Sequence, residues 1–321
     1  MQETELTRTE LGRTGLQITR VGFGAWAIGG GGWEFGWGEQ DDEQSIAAIQ
    51  RALELGVNWI DTAAAYGFGR SEQIVGRALE GVAERPYVFT KCSLLEGPDR
   101  MVVHSLDRDS ILREAHDSLQ RLGVDAIDLY QIHWPNPAAD IEQGWAALAE
   151  LKAQGLVRHI GVSNFDVAQL ERIEQIAPVE TLQPPYSLIA RDVEREVLPF
   201  ARREGIGVIV YSPMGSGMLT GKMTRERIEQ LPEDDWRKHS QRFNEPQLSR
   251  NLELVARLTA VAERHGTSPG AVAVAWTLRN PAVDAAIVGF RRPDQVDDAI
   301  LAAANLELTD NDLTEIEGGD R

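Results

Sequence analysis

The chain has 321 residues, 42% hydrophobic and 26% charged, a balance that excludes a disordered tail or a collagen-like rod. Its 32 Lys and Arg against 50 Asp and Glu leave a formal charge of −18, a mean field that repels phosphodiester backbones and anionic lipid, so neither nucleic acid nor a membrane surface is expected as a partner. Cys92 is the only cysteine, which excludes an intramolecular disulfide and a thiolate zinc site and fits a reducing cytosol, the compartment expected here.

The first ten residues are polar where a secretory peptide needs an apolar core, and stretches such as Ala271 to Trp276 fall far short of the roughly 20 residues of a membrane span. Leu6 to Val21 sets short apolar pairs around Gly12-Arg13-Thr14-Gly15, which predicts a β-hairpin able to plug one end of a barrel. Val21 to Ala25 follows as a strand. Gly22-Phe23-Gly24-Ala25-Trp26-Ala27 fits the spacing of a G-x-G-x-x-A dinucleotide fingerprint, but Gly29-Gly30-Gly31-Gly32-Trp33 comes next and cannot sustain the helix that fingerprint must open.

Asp42 to Gly56 reads as an amphipathic helix with Ile46, Ile49 and Leu53 on one face and Gly56 as its left-handed stop; Val57 to Asp61 is the next strand. Helix Ser71 to Leu79 and strand Tyr87 to Lys91 repeat the unit, and helix Asp109 to Gly123 leads into strand Val124 to His133. Strands Leu156 to Val162, Thr181 to Gln183, Ile206 to Tyr211 and Ala285 to Val288 bring the total to eight, with Gly155 and Gly205 as further helix stops and Asp166 as an N-cap. Apolar strands alternating with helices predict parallel pairing, and eight such units predict an α/β fold: a single (β/α)8 TIM barrel over residues 1–321. Ser212 to Glu245, after the seventh strand, is a long excursion, first Gly-rich and then charged, of the length expected of a lid or binding loop.

In such a barrel the polar residues that close the strands converge on one mouth. These are Asp61, Lys91, His133, Ser163-Asn164, Gln183 and Tyr211, with Tyr66 in the loop after Asp61. Each alone is an ordinary polar turn residue; together they suit carbonyl chemistry. A tyrosine hydroxyl titrates near pH ~10 and exchanges a proton at neutral pH only with help. Lys91 would favour its phenolate, Asp61 would keep Lys91 charged, and His133 would orient a carbonyl oxygen. The set holds no nucleophile aimed at the carbon and no metal-ligand cluster, so the missing reagent is a hydride. A competing reading makes Lys91 the Schiff-base amine of a lyase or isomerase. Trp26, Trp33, Trp37 and Trp134 fall in or beside the mouth loops, either as pocket wall or as core.

Asn58-Trp59-Ile60-Asp61-Thr62-Ala63, Tyr66-Gly67 with Ser71-Glu72, Asp128-Leu129-Tyr130-Gln131-Ile132-His133-Trp134, Gly161-Val162-Ser163-Asn164-Phe165 and Tyr211-Ser212-Pro213-Met214-Gly215 together resemble the motifs of the aldo-keto reductase superfamily, in order, over about residues 6 to 305. The resemblance implies an NADP(H)-dependent enzyme reducing aldehydes or ketones, with Tyr66 as general acid, Lys91 and Asp61 tuning it and His133 orienting the carbonyl. It implies that Tyr211 stacks on the nicotinamide and that Ser163, Asn164 and Gln183 bind its carboxamide. Ser212, Pro213, Met214 and Gly215 belong with Tyr211 to the stretch resembling the motif that stacks on the cofactor, Lys222 with Gly215, Gly217 and Gly221 resembles the loop that folds over the pyrophosphate, and Gly289-Phe290-Arg291-Arg292-Pro293 resembles the segment that holds the adenosine 2′-phosphate, Arg292 foremost. Gly24, Ala25, Trp26, Asp61, Gln295 and Asp298 complete the implied cofactor set. Gln295 stands where many members carry an arginine, and Ala299 where an asparagine often contacts adenine. An alternative within the resemblance is a regulatory, cofactor-binding subunit like the β subunits of voltage-gated potassium channels, with little turnover.

Overall fold

Helix starts and stops follow the capping residues. In the computed structural model, which describes residues 6–297, 303 and 305–318, helix α1 (Asp42–Glu54) opens on Asp41, whose carboxylate accepts the Gln44 N–H at 2.8 Å. Helix α3 (Arg108–Leu122) opens on Asp107 in the same way and closes on Gly123 at φ 62°, a left-handed conformation that glycine takes without penalty. Asp166 caps α5 (Val167–Glu174) with a reciprocal box to Gln169. The other βα helices are α2 (Arg70–Ala78), α4 (Ile141–Ala153) and α6 (Val197–Glu204).

Eight strands among the described residues close into a parallel barrel: β3 (Val21–Gly24), β4 (Trp59–Asp61), β5 (Tyr87–Cys92), β8 (Ile127–Ile132), β9 (Val157–Ser163), β10 (Thr181–Gln183), β11 (Gly207–Val210) and β12 (Ala285–Gly289), with β12 pairing back onto β3. These are the eight strands expected from the sequence, with ends shifted by up to three residues. No helix among the described residues is long and apolar enough to cross a membrane.

Side chains alternate across this wall with period two. Val88, Tyr130, Ile132, Val208, Val210, Ala286 and Val288 point outward into the layer shared with the helices. Trp59, Phe89, Leu129, Ile209, Ala285 and Ile287 point inward and pack together as a separate core, Trp59 against Phe89 at 5.3 Å between ring centroids. The N-terminal hairpin β1 (Arg8–Glu10) and β2 (Gln17–Thr19) closes the lower end by adding Leu11, Leu16 and Ile18 to that inner core. Its turn sits so close to the floor that a Cβ on Gly12 would lie 2.2 Å from the backbone nitrogen of Gly207. The plug expected from the sequence is therefore present, and it is a packing element.

The same alternation, carried two residues further along each strand, puts Asp61 above Trp59, Lys91 above Phe89, Gln131 above Leu129 and Gln183 above Thr181, all on the inner face. The apolar inner layer thus supports a polar layer at the C-terminal ends of the strands, where the loops converge. Two insertions build the mouth. A hairpin not anticipated from the sequence, β6 (Leu94–Glu96) and β7 (Val102–His104), follows β5 directly. The long loop after β11 carries a short helix, α7 (Arg225–Glu229), and crosses to the Gly/Trp-rich loop after β3: the Trp236 backbone N–H donates to Gly36 O at 3.3 Å and its ring stacks on Trp26 at 5.3 Å. Helices α8 (Gln247–His265) and α9 (Pro269–Leu278) return the chain to β12.

Candidate active site

The polar layer is one hydrogen-bonded cluster. Lys91 Nζ donates to Asp61 Oδ1 at 2.6 Å, to Thr62 O at 2.9 Å and to the Tyr66 hydroxyl oxygen at 3.3 Å. Gln183 Nε2 donates to the other Asp61 oxygen at 2.9 Å and to Gln131 Oε1 at 3.3 Å. Gln131 was missed in the sequence reading because it sits two residues before the strand-end histidine; its period-two relation to Leu129 was the signal that marks it. The Lys91 and Asp61 side chains are essentially inaccessible, at 0% and 3% exposure, so the pair persists only because each charge finds its partner in place.

Tyr66 and His133 form the accessible front of this cluster. Their rings meet edge to face with centroids 5.6 Å apart, and both line a cavity of about 1320 Å³ at the mouth. Lys91 lies behind them and does not reach that cavity. All three protons of its ammonium are engaged, so no free amine is presented for Schiff-base chemistry, and the lyase reading loses its nucleophile.

The Tyr66 hydroxyl is held well above the ordinary tyrosine range by burial and by the Asp61 charge, not drawn down by Lys91. Burial is the larger cause, and Lys91, 3.3 Å from the phenol oxygen, lies closer to Asp61, at 2.6 Å. Burial pulls the Lys91 ammonium down, and Asp61 opposes it. Burial and the Lys91 charge push His133 well below the usual histidine range, so its imidazole is neutral. At neutral pH the site presents a protonated phenol and a neutral imidazole to the cavity, both able to donate to one oxygen.

Beside this front, Asn164 Nδ2 donates to His133 O at 2.9 Å, Ser163 Oγ donates to Gln183 O at 2.7 Å, and the Tyr211 hydroxyl donates to Asn164 Oδ1 at 2.8 Å. These four residues form one wall, with Tyr211 braced at its hydroxyl and its ring facing the cavity. Gly24, Ala25, Trp26 and Asp61 line the cavity from β3 and β4; Ser212, Pro213, Met214, Gly217 and Lys222 line it from the long loop; Gly289, Phe290, Arg291, Arg292 and Gln295 line it from the end of β12. Gly215 does not line the cavity, and Asp298, like Ala299, falls outside the described residues. All four tryptophans singled out from the sequence, Trp26, Trp33, Trp37 and Trp134, line the cavity, so they are wall as well as packing.

Sequence reasoning missed the contributors from the far part of the long loop. Trp236 joins Trp26 and Trp37, Arg237 stacks over Trp37 at 4.4 Å, and Arg242 faces the cavity. In a chain of charge −18, the cavity collects Lys222, Arg227, Arg237, Arg242, Arg291 and Arg292. Arg237 is paired with Asp235 and Arg292 with Asp294, whereas Arg291 is held by the neutral oxygens of Gln40 and Glu39 O. This is the local basic group that an anionic ligand requires against the mean field.

Behind the mouth, Glu114 on α3 accepts the Ser93 N–H at 2.9 Å and the Ser110 hydroxyl at 3.3 Å. Ser93 stands at φ 80°, at the turn between β5 and β6. Burial raises the Glu114 carboxyl from 4.5 to about 7, with the Ser93 and Ser110 hydrogen bonds opposing and Glu72 adding to the rise. Between those two values the folded chain keeps a proton that the unfolded chain has lost, so stability falls as pH rises from about 4.5 to about 7 and stays reduced above. The full effect is about 3 kcal/mol. Glu114→Gln, which keeps an oxygen for Ser93, is expected to flatten that slope and to be more stable than the parent above neutrality; denaturant midpoints measured across pH check it.

Residues 20–320 match the sequence profile of the family described as Aldo/keto reductase family. The chain is 41% identical over 292 residues to aldo-keto reductase YhdN of Bacillus subtilis (strain 168), covering 90% of this chain and 86% of that one. It is 34% identical over 322 residues to the NADH-specific methylglyoxal reductase of Escherichia coli (strain K12), covering 96% and 97%. Among solved structures, a glycerol dehydrogenase from Gluconobacter oxydans superposes with a TM-score of 0.85 at 36% identity, over 99% of this chain and 95% of that one.

Proposed function

The chain belongs to the aldo/keto reductase family of oxidoreductases, and we propose that it reduces aldehydes and ketones to alcohols with NADPH, using Tyr66 as the general acid. The observation that carries the reading is the buried Asp61–Lys91–Tyr66 chain opening, together with His133, into one cavity. A bound nicotinamide would supply the hydride. Tyr66 gives its proton to the carbonyl oxygen, and burial keeps that proton in place until an oxygen arrives to take it. His133 donates to the same oxygen and fixes its direction. Lys91, hydrogen-bonded to the phenol oxygen, stabilises the negative charge left on Tyr66, and Asp61 holds Lys91 protonated for that purpose.

The residues present suit a phosphorylated dinucleotide. The cavity exceeds the roughly 300–1,000 Å³ of an ordinary small-molecule site, which leaves room for a cofactor beside a substrate. Tyr211 offers a braced aromatic face, and Ser163, Asn164 and Gln183 offer amide-binding groups on the same wall. Lys222 and the other cavity cations suit the pyrophosphate, with Arg291 and Arg292 at the adenosine end.

The preference for NADPH rests on Arg292, whose guanidinium is forked onto Asp294 with Nε 3.0 Å from Oδ1. A 2′-phosphate has to share that guanidinium with a carboxylate, which limits the preference. One relative is named NADH-specific, so the two cofactors are best compared directly. Arg292→Ala is expected to weaken NADPH by about 1.5 kcal/mol, roughly tenfold, and to leave NADH unchanged. Asp294→Ala is expected to tighten NADPH alone. Quenching of tryptophan fluorescence at one fixed salt concentration measures both; equal responses of the two cofactors would remove Arg292 from the reading.

A further inference from the structure

The hairpin β6–β7 brings a second imidazole to the mouth. His104 ends β7 opposite Leu94, and its side chain lines the cavity together with Leu94, Val102, Tyr66 and His133. Backbone bonds place it firmly. Ser105 donates to Ser93 O at 3.0 Å, and on the other side His133 donates to Cys92 O at 3.1 Å and Trp134 to Ser93 Oγ at 3.4 Å. His104 and His133 are thus each fixed, directly or through the next residue, to the same pair Cys92–Ser93, whose turn Glu114 holds. Both residues line the same cavity, and the His104 charge is one of the influences that lower His133.

In both rings Nδ1 is buried with no hydrogen-bond partner. A buried N–H lacking an acceptor is costlier than a bare lone pair, so each neutral ring keeps its proton on Nε2. Burial favours the neutral form of His104, and Glu34, which opposes this, already accepts the Val102 N–H at 2.9 Å. Neither Nε2 has a hydrogen-bond partner among the described residues, and neither is sealed off. The mouth therefore offers an N–H at His133 for the reacting carbonyl and a further N–H at His104 that the reduction of a simple carbonyl leaves unused.

Taking the carbonyl reductase reading as its basis, we propose that His104 is a second substrate-binding donor and that the site is built for short carbonyl compounds carrying another neutral oxygen near the carbon reduced, such as 2-hydroxyaldehydes and 2-oxoaldehydes. A hydroxyl or second carbonyl oxygen accepts from His104 while the reacting oxygen accepts from Tyr66 and His133. A neutral imidazole gives no counter-charge, so a carboxylate in that place gains less.

The test compares glyceraldehyde with propanal, which differ only by hydroxyls, in steady-state assays of the full chain and of His104→Phe and His104→Gln at saturating cofactor. The parent is expected to prefer glyceraldehyde by about tenfold or more in kcat/KM. In His104→Phe that preference disappears through a higher KM for glyceraldehyde with kcat little changed, and propanal is affected less than about twofold. His104→Gln, which keeps an N–H donor, retains part of the preference. Equal loss on both aldehydes in a variant that still binds cofactor overturns the role of His104 and leaves the reductase reading standing. A parent that turns over both aldehydes without preference overturns it independently of how the variants fold. A parent that binds cofactor yet reduces neither removes the reductase reading and this inference with it.

Discussion

Tyr66→Phe is expected to lower kcat for aldehyde reduction at least a hundredfold while leaving cofactor affinity within a factor of about two, because it deletes one oxygen and nothing that packs. The ring is buried, meets His133 edge to face and stacks at 6.3 Å on Trp26, and phenylalanine keeps each of those contacts. Only the proton donor and the acceptor of the Lys91 hydrogen bond at 3.3 Å are lost. The loss should appear in kcat and kcat/KM alike, since the missing interaction is one made as charge develops on the carbonyl oxygen. Steady-state kinetics with cofactor titration on the same preparation checks this. Retained turnover would move the proton donor elsewhere, and His133, neutral and adjacent, would be the next residue to test.

Lys91→Met should cost both activity and stability, by separable mechanisms. With Lys91 gone, the Asp61 carboxylate stays 3% exposed with Gln183 Nε2 at 2.9 Å as its remaining side-chain partner. Breaking a buried pair on one side costs about 3–5 kcal/mol, because the surviving charge is left in a poorly solvating site. Removing both charges in Asp61→Asn/Lys91→Met should therefore recover more than half of that loss, since two neutral side chains of similar shape no longer carry a desolvated ion. Turnover should not recover, because Tyr66 still lacks the cation that stabilises its phenolate. Denaturant midpoints of the single and double variants decide it: additive losses would mean the pair contributes packing and not a charge balance.

The strand ends were legible because helix stops and apolar strand runs bracket them: Asp61, His133 and Gln183 fall at or just beyond the ends of β4, β8 and β10, and Lys91 one residue before the end of β5. Two kinds of information were not. Inner-face positions below the ends, such as Gln131, need a register as well as an end. Loop positions such as Trp236, Arg242 and His104 are placed by contacts between distant segments, Trp236 on Trp26 and Gly36, Ser105 on Ser93, and no local pattern records those. Tyr66 illustrates a third limit. Its neighbours were named from the sequence, but the direction of its shift is set first by burial and then by the Asp61 charge, and the depth of that burial exists only in the fold. The basic lining followed the same logic. The need for it could be argued from the charge of −18, and Arg291 and Arg292 were found, while the arginines of the long loop appear only once it crosses the mouth.

The most direct test of the central claim is a single-turnover experiment in which the protein is mixed with one equivalent of NADPH and then with excess glyceraldehyde, following nicotinamide absorbance and alcohol formed. The account predicts oxidation of the bound nicotinamide with one alcohol per cofactor, and a Tyr66→Phe protein that binds the cofactor but oxidises it at least about a hundredfold more slowly. Bound cofactor that stays reduced in the parent protein, or is oxidised at the same rate in Tyr66→Phe, would contradict it.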